Sequence, residues 1–476
     1  MKIFKNISKL TVVAAIALMA GSILTSCEDY LGIKPKKQEI PETLADYVAF
    51  FNEEYMIYTP HYYAYSTAHE LLGEYYNAYI AWYGQTSLDY ICYYWTDYNR
   101  FESSTNNTVY RYSTRGVAVA NQIIDGAGRA TECTQDERQS AIASARILRV
   151  MQLFSQANYF ADAYDPATAE TKLSVPLLTS SEADATYTQP SIKYLYDFMI
   201  KEVEEAVACK SLPDMGATIY IPGKGAGYAL LSRLKLYVRD WQGALDAANE
   251  AIKIKGDLFD WVKHYNDNYD EYLKEFKTNK MIPSPMEHDF CENYYFGFGN
   301  LSYRGSRTFL PEPAGRWFEE GDCYQQTNWQ LCPYGSEYVY RAATTGYFNE
   351  GGIRTLEAYY VKAEALARLD QLADARNVYN TIRKKTIHPD YYTDVTTNDK
   401  DELIYQICKS RHASFLLSTI GFTDIKRLNA EGKYILPVIK KINGQEVTLA
   451  PDHRLWTFPF AQDVMKDESI KQNVEY

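Results

Sequence analysis

The sequence lacks the short motifs by which many hydrolases and metalloenzymes are identified. It contains no G-x-S-x-G, no H-E-x-x-H and no EF-hand loop, and its seven histidines are scattered along the chain. None of the eight cysteines forms a C-x-x-C pair, which argues against a zinc knuckle or a redox motif. We therefore expect no metal site and no cofactor. Two carboxylates can still meet from distant parts of a chain, so these absences disfavour an enzyme without excluding one.

Two glycine-containing stretches imitate nucleotide-binding loops but fail in detail. GATIYIPGKG, which begins at Gly216, spaces its glycines wrongly and follows Lys224 with Gly225, so no hydroxyl would reach a magnesium ion. GFGNLS, which begins at Gly297, fails the dinucleotide fingerprint at its last position. The net charge of −12 also argues against a polyanionic ligand. Nucleic acid is therefore not an expected partner.

Long apolar runs are missing after the first 24 residues. Lys2, Lys5 and Lys9 precede the stretch LTVVAAIALMAGSIL, Leu10–Leu24, which is too short to span a bilayer comfortably but suits the core of a signal peptide. No later stretch is apolar enough to predict a transmembrane helix. We therefore interpret residues 1–26 as an export signal.

The signal ends in LTSC, with small residues just before Cys27, and this spacing resembles the lipobox of bacterial lipoproteins. In such proteins the signal is removed and the cysteine carries acyl chains, so Cys27 is the predicted lipidation site and residues 27–40 the lipidated tether. Glu28 and Asp29 resemble the surface-export signal of Bacteroidetes lipoproteins. Because two or more acyl chains anchor a protein durably, the predicted location is the outer membrane, lipid-anchored and facing the exterior. An ordinary secretory signal with a chance cysteine is the alternative.

What the sequence does contain is helical periodicity over long segments. Asp136–Phe160 has apolar residues at helical spacing over several turns, which predicts a long amphipathic helix. Gly225–Ile254 and Ile353–Lys385 each read as a helix, a short turn and a second helix with alanines on one face. A period of roughly 34 residues with such alanines is typical of tetratricopeptide repeats. The predicted fold is mainly α, a tetratricopeptide-like superhelix of helical hairpins, with degenerate hairpins near residues 66–125 and 136–209 completing the stack.

The pattern changes in the middle of the chain. Residues 282–352 are rich in glycine, proline and aromatic residues and have no sustained period, so we expect a loop-rich insertion with short strands. The predicted organisation is one globular domain of residues 41–476. Its helical scaffold covers about residues 41–281 and 353–430, and the insertion interrupts it.

Tyrosine is unusually abundant, with 44 residues against 19 Phe and 7 Trp. Because tyrosine joins an apolar ring to a polar hydroxyl, this excess favours partly hydrated surfaces over cores that exclude water. The densest segment, YICYYWTDYNRF from Tyr90 to Phe101, mixes rings with Asp97, Asn99 and Arg100. Either these rings fill grooves in an irregular core, or they form a surface on which a flat, polar ligand lies.

Taken together, these segments resemble the SusD/RagB family of outer-membrane nutrient-binding lipoproteins of Bacteroidetes, nearly from end to end. The stretches that carry the resemblance include ILTSCEDYLGIKP, ARILRVMQLFSQANYF, YYVKAEALARLDQLADARNVYNTIR and the closing FPFAQDVMKDESIKQNVEY. The chain departs from the family near its C-terminus. SRHAS, Ser410–Ser414, stands where the family commonly reads Glu-Arg-Arg-x-Glu, so both glutamates are replaced, whereas Arg411, Asp424 and Arg427 are kept.

The resemblance implies a ligand site on the face away from the helical stack, built here from residues 82–101 and 290–335. Sugar rings present flat C–H faces with polar rims, so aromatic side chains suit the faces while amide and guanidinium groups suit the hydroxyls. On this basis the predicted stacking residues are Trp82, Tyr94, Trp95, Tyr294, Tyr295, Trp317 and Trp329, with Asn99 and Arg100 as donors at the rim.

The resemblance also implies a function without chemistry. The chain would capture oligo- or polysaccharide and deliver it to a partner SusC-like TonB-dependent transporter, on which it would lie as a lid. Three alternatives stay open: a peptide-binding member of the same family, a tetratricopeptide adaptor that binds only proteins, and a surface glycoside hydrolase. The last would require two carboxylates in a cleft, about 5 to 10 Å apart.

Overall fold

The computed structural model of the chain describes residues 41–52, 61–75, 80–98, 108–182, 184–268, 282–297, 309–335, 337–345, 349–442 and 444–475. The predicted signal peptide, Cys27 and the tether lie outside these residues, as do Asn99 and Arg100. Residues Thr43–Tyr476 form one compact unit, and of the other unit, Met1–Glu42, only the last two residues are described. No helix in the described ranges combines the length and the apolar character needed to cross a bilayer.

Helices dominate both sides of the insertion, which confirms the predicted mainly α fold. The first half contains α1 Leu44–Ala49, α2 His61–Leu72, α3 Leu88–Tyr94, α4 Thr108–Arg129, α5 Gln135–Phe160, α6 Ile192–Ala208, α7 Lys224–Tyr237 and α8 Trp241–Ile254. The second half contains α9 Cys323–Asn328, α10 Thr355–Arg368, α11 Leu372–Thr386, α12 Lys400–Ser414, α13 Thr419–Glu431 and α14 Gln462–Met465. Consecutive long helices pack on each other, α4 on α5, α5 on α6, α7 on α8 and α10 on α11.

The two hairpins predicted from the alanine pattern are present as α7–α8 and α10–α11. Each turn carries a non-glycine residue in the left-handed region two positions before the second helix, Arg239 with φ 66° and Asp370 with φ 63°. Ala244, Ala248 and Ala251 of α8 are buried, and their small side chains let α8 approach both α7 and α10 closely. The prediction of stacked helical hairpins is therefore confirmed.

A network of buried ion pairs joins helices from the two sides of the insertion. Arg233 of α7 donates two hydrogen bonds of 2.7 Å to the carboxylate of Glu357 on α10. Arg411 of α12, which is wholly buried, donates through Nε to Asp424 of α13 at 2.5 Å. Its Nη2 also donates to Glu357 at 3.4 Å, which links the two pairs. Guanidinium groups that satisfy carboxylates in this bidentate way are suited to burial.

Arg411, Asp424 and Arg427, the residues of the C-terminal motif noted in the sequence, all belong to this network of ion pairs. Arg427 of α13 donates to both oxygens of Glu364 on α10 at 2.8 and 2.9 Å, and Arg368 donates to Glu364 at 2.9 Å. Burial alone would raise the pKa of Glu364, but the charges of Arg427 and Arg368 hold it well below its usual range. Arg411, Asp424 and Arg427 therefore hold helices together inside the scaffold.

Short strands occur in the insertion and near the C-terminus. They are β1 Ile282–Pro283, β2 Asn293–Tyr295, β3 Phe309–Pro311, β4 Trp329–Tyr334, β5 Glu337–Ala342, β6 Thr344–Thr345, β7 Ile353–Arg354, β8 Val438–Ile442 and β9 Gln445–Leu449. β3, β5 and β4 form an antiparallel sheet in that order, with a β4–β5 hairpin that turns at Gly335, φ 61°. β2 pairs with β7 at the start of α10, and β8 pairs with β9. The predicted short strands of the insertion are therefore present.

Candidate functional site

The tyrosine-rich segment begins as a short helix, α3, that buries one face and exposes the other. Its first turn is capped by Ser87, whose hydroxyl accepts from the Tyr90 amide at 3.2 Å. Leu88, Ile91 and Cys92 are buried at helical spacing, and the tyrosines occupy the remaining positions. The segment therefore fills part of the core with its aliphatic residues and keeps its rings at or near the surface.

Three half-buried tyrosines of α3 lie against one another. The ring centroids of Tyr90 and Tyr94 are 4.5 Å apart, and those of Tyr93 and Tyr94 are 4.9 Å apart. The single-turn helix Ile80–Trp82 packs beside α3, and at its end Trp82 is 83% exposed, with Tyr83 also exposed. We refer to the five residues Trp82, Tyr83, Tyr90, Tyr93 and Tyr94 as the aromatic surface.

Trp95 ends α3 in an uncommon backbone conformation that contacts with other residues stabilise. Its φ of 52° places it in the left-handed region, which is uncommon for a bulky residue. The backbone amide donates to the Ile91 carbonyl, and the indole nitrogen donates to the Leu71 carbonyl at 2.9 Å. The Nζ atom of Lys440 lies 5.0 Å from the centre of the indole ring. Trp95 is half-buried and serves here as a fixed end to the helix.

Lys440 of β8 also holds the last carbonyls of α3. Its ammonium donates to the Cys92 carbonyl at 2.9 Å and to the Tyr93 carbonyl at 2.8 Å. These are carbonyls that a helix leaves without an internal partner at its C-terminus. Burial lowers the pKa of Lys440 to about 7, although Cys92 and Glu70 oppose that shift. Gly73, with φ 69°, leaves room for the lysine stem, because a Cβ there would lie 2.6 Å from Lys440 Cγ.

The segment after α3 is fixed by the C-terminal part of the chain. Tyr98 is wholly buried, and its hydroxyl lies within hydrogen-bond distance of the carbonyls of Leu455 and Thr457, at 3.2 and 3.1 Å. Asp97 forms an ion pair with Arg454. Together with Lys440, these contacts attach residues 88–98 to two segments, β8 and residues 454–457, so the aromatic surface rests on a fixed base.

Four predicted stacking residues of the insertion do not lie at the surface. Tyr294, Tyr295, Trp317 and Trp329 are each at most 3% exposed. The hydroxyl of Tyr294 donates to the Ala251 carbonyl of α8 at 2.8 Å. These four rings are therefore buried and do not belong to the aromatic surface. Tyr294 and Tyr295 are held against the scaffold by the pairing of β2 with β7, and all four rings belong to the hydrophobic core.

The insertion does expose other rings, which the sequence interpretation missed. Leu331, Tyr334 and Tyr338 of the β4–β5 hairpin are exposed, Tyr338 by 55%. The register pairs Leu331 with Tyr340, and Pro333 with Tyr338, so these four side chains share one face of the sheet. We refer to Leu331, Tyr334 and Tyr338 as the hairpin tip. Strand alternation on either side of Gly335 is the signal that would have identified it.

A chain of contacts relates the hairpin tip to the aromatic surface. Tyr340, in the same strand as Tyr338, packs against Gly315. The neighbouring Arg316 donates through Nη2 to the Pro437 carbonyl at 3.2 Å, and three residues further along the chain Lys440 holds α3. The hairpin tip and the aromatic surface are thus both connected to the segment at the start of β8. Of the other predicted site residues, Asn99 and Arg100 lie outside the described ranges.

Comparison with known proteins finds one matching family model and several similar solved structures. Residues 29–236 match a family described as SusD-like, starch-binding and associating with the outer membrane. No curated protein matches the sequence. A SusD superfamily protein from Bacteroides thetaiotaomicron VPI-5482 is 17% identical with a TM-score of 0.71, and the match covers 91% of this chain and 100% of that chain.

Two further solved structures have similar coverage. A SusD-like carbohydrate binding protein from Bacteroides vulgatus ATCC 8482 is 17% identical, with a TM-score of 0.65 over 92% of this chain and 99% of that one. Surface glycan-binding protein A from Bacteroides uniformis is 14% identical, with a TM-score of 0.63 over 90% of this chain and 98% of that one. At such identities these likenesses establish a shared fold.

Proposed function

We propose that this chain is a member of the SusD/RagB family, a lipid-anchored surface protein that captures oligo- or polysaccharide and delivers it to a SusC-like TonB-dependent transporter. The observation that carries the proposal is the aromatic surface, with Trp82 exposed and the Tyr90–Tyr94 pair beside it. Such rings match the flat faces of sugars, and their fixed base limits the entropy lost on binding. The description of the matched family and the names of two solved relatives support the ligand class.

The proposed binding is weak and reversible. By analogy with aromatic pairs, about three stacked rings at roughly 1 kcal/mol each, with a few hydrogen bonds, give a dissociation constant between millimolar and micromolar. Asn99 and Arg100 remain the proposed donors at the rim. A protein that passes its ligand onward must release it, and several contacts along one polymer restore the overall strength of capture. No bond of the ligand is broken in this function.

The proposed anchor and location rest on the N-terminal sequence. The apolar stretch Leu10–Leu24 and Cys27 supply an export signal and a lipidation site, and the family description associates its members with the outer membrane. Replacing Cys27 with Ser should move the protein from the membrane fraction to the soluble fraction of the cell envelope. Pull-down of the intact protein from membranes of its source cell should recover a TonB-dependent transporter.

Affinity electrophoresis in polysaccharide gels tests the ligand class. Trp82→Ala and Tyr94→Ala should each reduce retention by several-fold in a gel that retards the wild type, while thermal stability stays nearly unchanged. Tyr194→Ala, at an exposed tyrosine of α6, is the matched control and should be retained like the wild type. Equal retention of all three variants would show that the aromatic surface is not the site. Release of reducing sugar during the incubation would favour the hydrolase alternative.

A further inference from the structure

A cavity of about 310 Å³ lies between the insertion and helices α10, α11 and α12. None of the residues of the aromatic surface lines it. Trp317 of the insertion, Tyr360 of α10 and Tyr379 of α11 provide its aromatic walls, and Ser410 and Ser414 of α12 also face it. Its volume is at the small end of the range that ligand pockets occupy, which suits a molecule of about one sugar ring.

Hydroxyl groups are concentrated in the lining. The Tyr360 hydroxyl is hydrogen-bonded to Ser410 Oγ at 2.8 Å and to Ser414 Oγ at 2.9 Å. The Tyr379 hydroxyl donates to the Gln406 carbonyl at 3.3 Å. Because each hydroxyl oxygen can accept two hydrogen bonds, these contacts leave acceptor capacity unused. That capacity is available to the hydroxyl groups of a small guest.

Ser410 and Ser414 are two small residues on one face of α12, because their spacing of four residues is close to one helical turn. Both line the cavity, so longer side chains on the same backbone would extend into it. The small size of these two residues therefore leaves the space open.

The formal charges of the lining balance. Arg383 forms an ion pair with Glu319, with Nε to Oε2 at 3.1 Å, and also donates to the Thr393 carbonyl at 2.6 Å. Asp322 and Lys409 are the other two charged residues, so the lining has two acidic and two basic side chains. A neutral guest therefore needs no counter-charge here.

We propose that this cavity binds a small, neutral, polyhydroxylated molecule of about the size of a monosaccharide, with the hydroxyls of Ser410, Ser414 and Tyr379 as partners. Aromatic walls with adjacent hydroxyl donors and acceptors suit the flat faces and polar rims of such molecules. The site is separate from the aromatic surface, so it does not depend on the capture of polysaccharide proposed above.

Saturation-transfer NMR on the intact protein tests this site. The probes are glucose, galactose, mannose, xylose and N-acetylglucosamine, with glucuronate as the charged comparison. At least one neutral sugar should receive saturation, and glucuronate should receive less. The double substitution Ser410→Ala with Ser414→Ala should weaken binding of that sugar roughly tenfold, as expected for the loss of two neutral hydrogen bonds.

Two further variants separate this site from the aromatic surface. Trp82→Ala should leave the monosaccharide signal unchanged, whereas Tyr379→Phe, which keeps the ring, should reduce it. Melting curves of each variant identify any loss of folding. If no neutral sugar receives saturation, or if the signal survives in both the double-alanine and the Tyr379→Phe variants, the cavity holds only water and the proposal is overturned.

Discussion

The aromatic surface and the insertion are both rich in aromatic side chains. The aromatic surface keeps its rings exposed or half-buried, whereas the insertion buries its largest rings. In α3, a helix of seven residues can bury only one stripe, and Leu88, Ile91 and Cys92 occupy it, so the tyrosines face outward. In the insertion, β2 pairs with the strand that leads into α10, and this pairing presses Tyr294 against the scaffold. Aromatic composition alone therefore does not identify a binding surface. The face on which each ring lies decides its role.

The largest expected difference between the two regions is in stability. Trp329→Ala should lower the free energy of unfolding by about 3–5 kcal/mol, because it opens a large cavity in the core. Trp82→Ala should change it by no more than about 0.5 kcal/mol, because that ring is exposed. Midpoints of urea denaturation measure both. Similar midpoints for the two variants would contradict the assignment of Trp329 to the core.

Acid should loosen the contact between the end of α2 and α12, next to the insertion. Glu74 is wholly buried, and although burial opposes it, His412 and His69 lower its pKa from 4.5 to about 2. His412 in turn packs edge-on against Trp317, at 4.7 Å between ring centres. Because the folded-state pKa lies below the unfolded one, the carboxylate stabilises the fold above pH 4.5, and that contribution disappears as the pH falls to 2.

The shift corresponds to about 3 kcal/mol, and Glu74→Gln tests it because glutamine keeps the size but does not titrate. Between pH 5 and pH 2 the wild type should lose about 3 kcal/mol more of its unfolding free energy than the variant does. Denaturant titrations at each pH measure this difference. Parallel curves for the two proteins would show that Glu74 has an ordinary pKa.

Substitutions of two buried lysines, Lys426 and Lys440, distinguish a local effect on the aromatic surface from a general loss of stability. Lys426 donates to the carbonyls of Asn158 and Ala161 at the end of α5, at 2.8 and 2.6 Å, as Lys440 does at the end of α3. Burial lowers the pKa of each lysine to about 7. Replacing either with Met should cost about 1–3 kcal/mol, because buried carbonyls lose their donor.

Only Lys440→Met should also weaken retention in polysaccharide gels, and Lys440→Arg should recover part of the loss because it restores a donor. Equal loss of retention in the Lys440→Met and Lys426→Met variants would mean that Lys440 acts through global stability alone. Retention unchanged in both would mean that α3 keeps its position without Lys440.

The smallest expected effect concerns the hairpin tip. Tyr338→Ala should change stability by no more than about 0.5 kcal/mol, since the ring is exposed. If the hairpin tip extends the glycan surface, the variant should bind a long polysaccharide about fivefold more weakly, the amount expected for one stacked ring. Binding of a short oligosaccharide should change less. An unchanged affinity for both would confine the site to the aromatic surface.

The scaffold could be predicted from the sequence because its signals are local. Alanines at helical spacing and a short turn define each hairpin, and the ends of α7–α8 and α10–α11 agree with the predicted Gly225–Ile254 and Ile353–Lys385 to within two residues. The site could be predicted only in part. Trp82 and Tyr94 lie at or near the surface, whereas the burial of Trp329 depends on which face of the β4–β5 hairpin packs on the scaffold, and local alternation does not decide that.

The contacts of Lys440, Arg454 and Leu455 with residues 88–98 have a consequence for synthesis and turnover of the protein. The surface encoded near the start of the chain is finished only by residues made almost at its end. An unfinished chain, or one trimmed by a protease before β8, would carry every exposed ring and still lack the base that orders them. The aromatic surface would therefore be ordered for binding only in chains that have been made and folded as far as these C-terminal contacts.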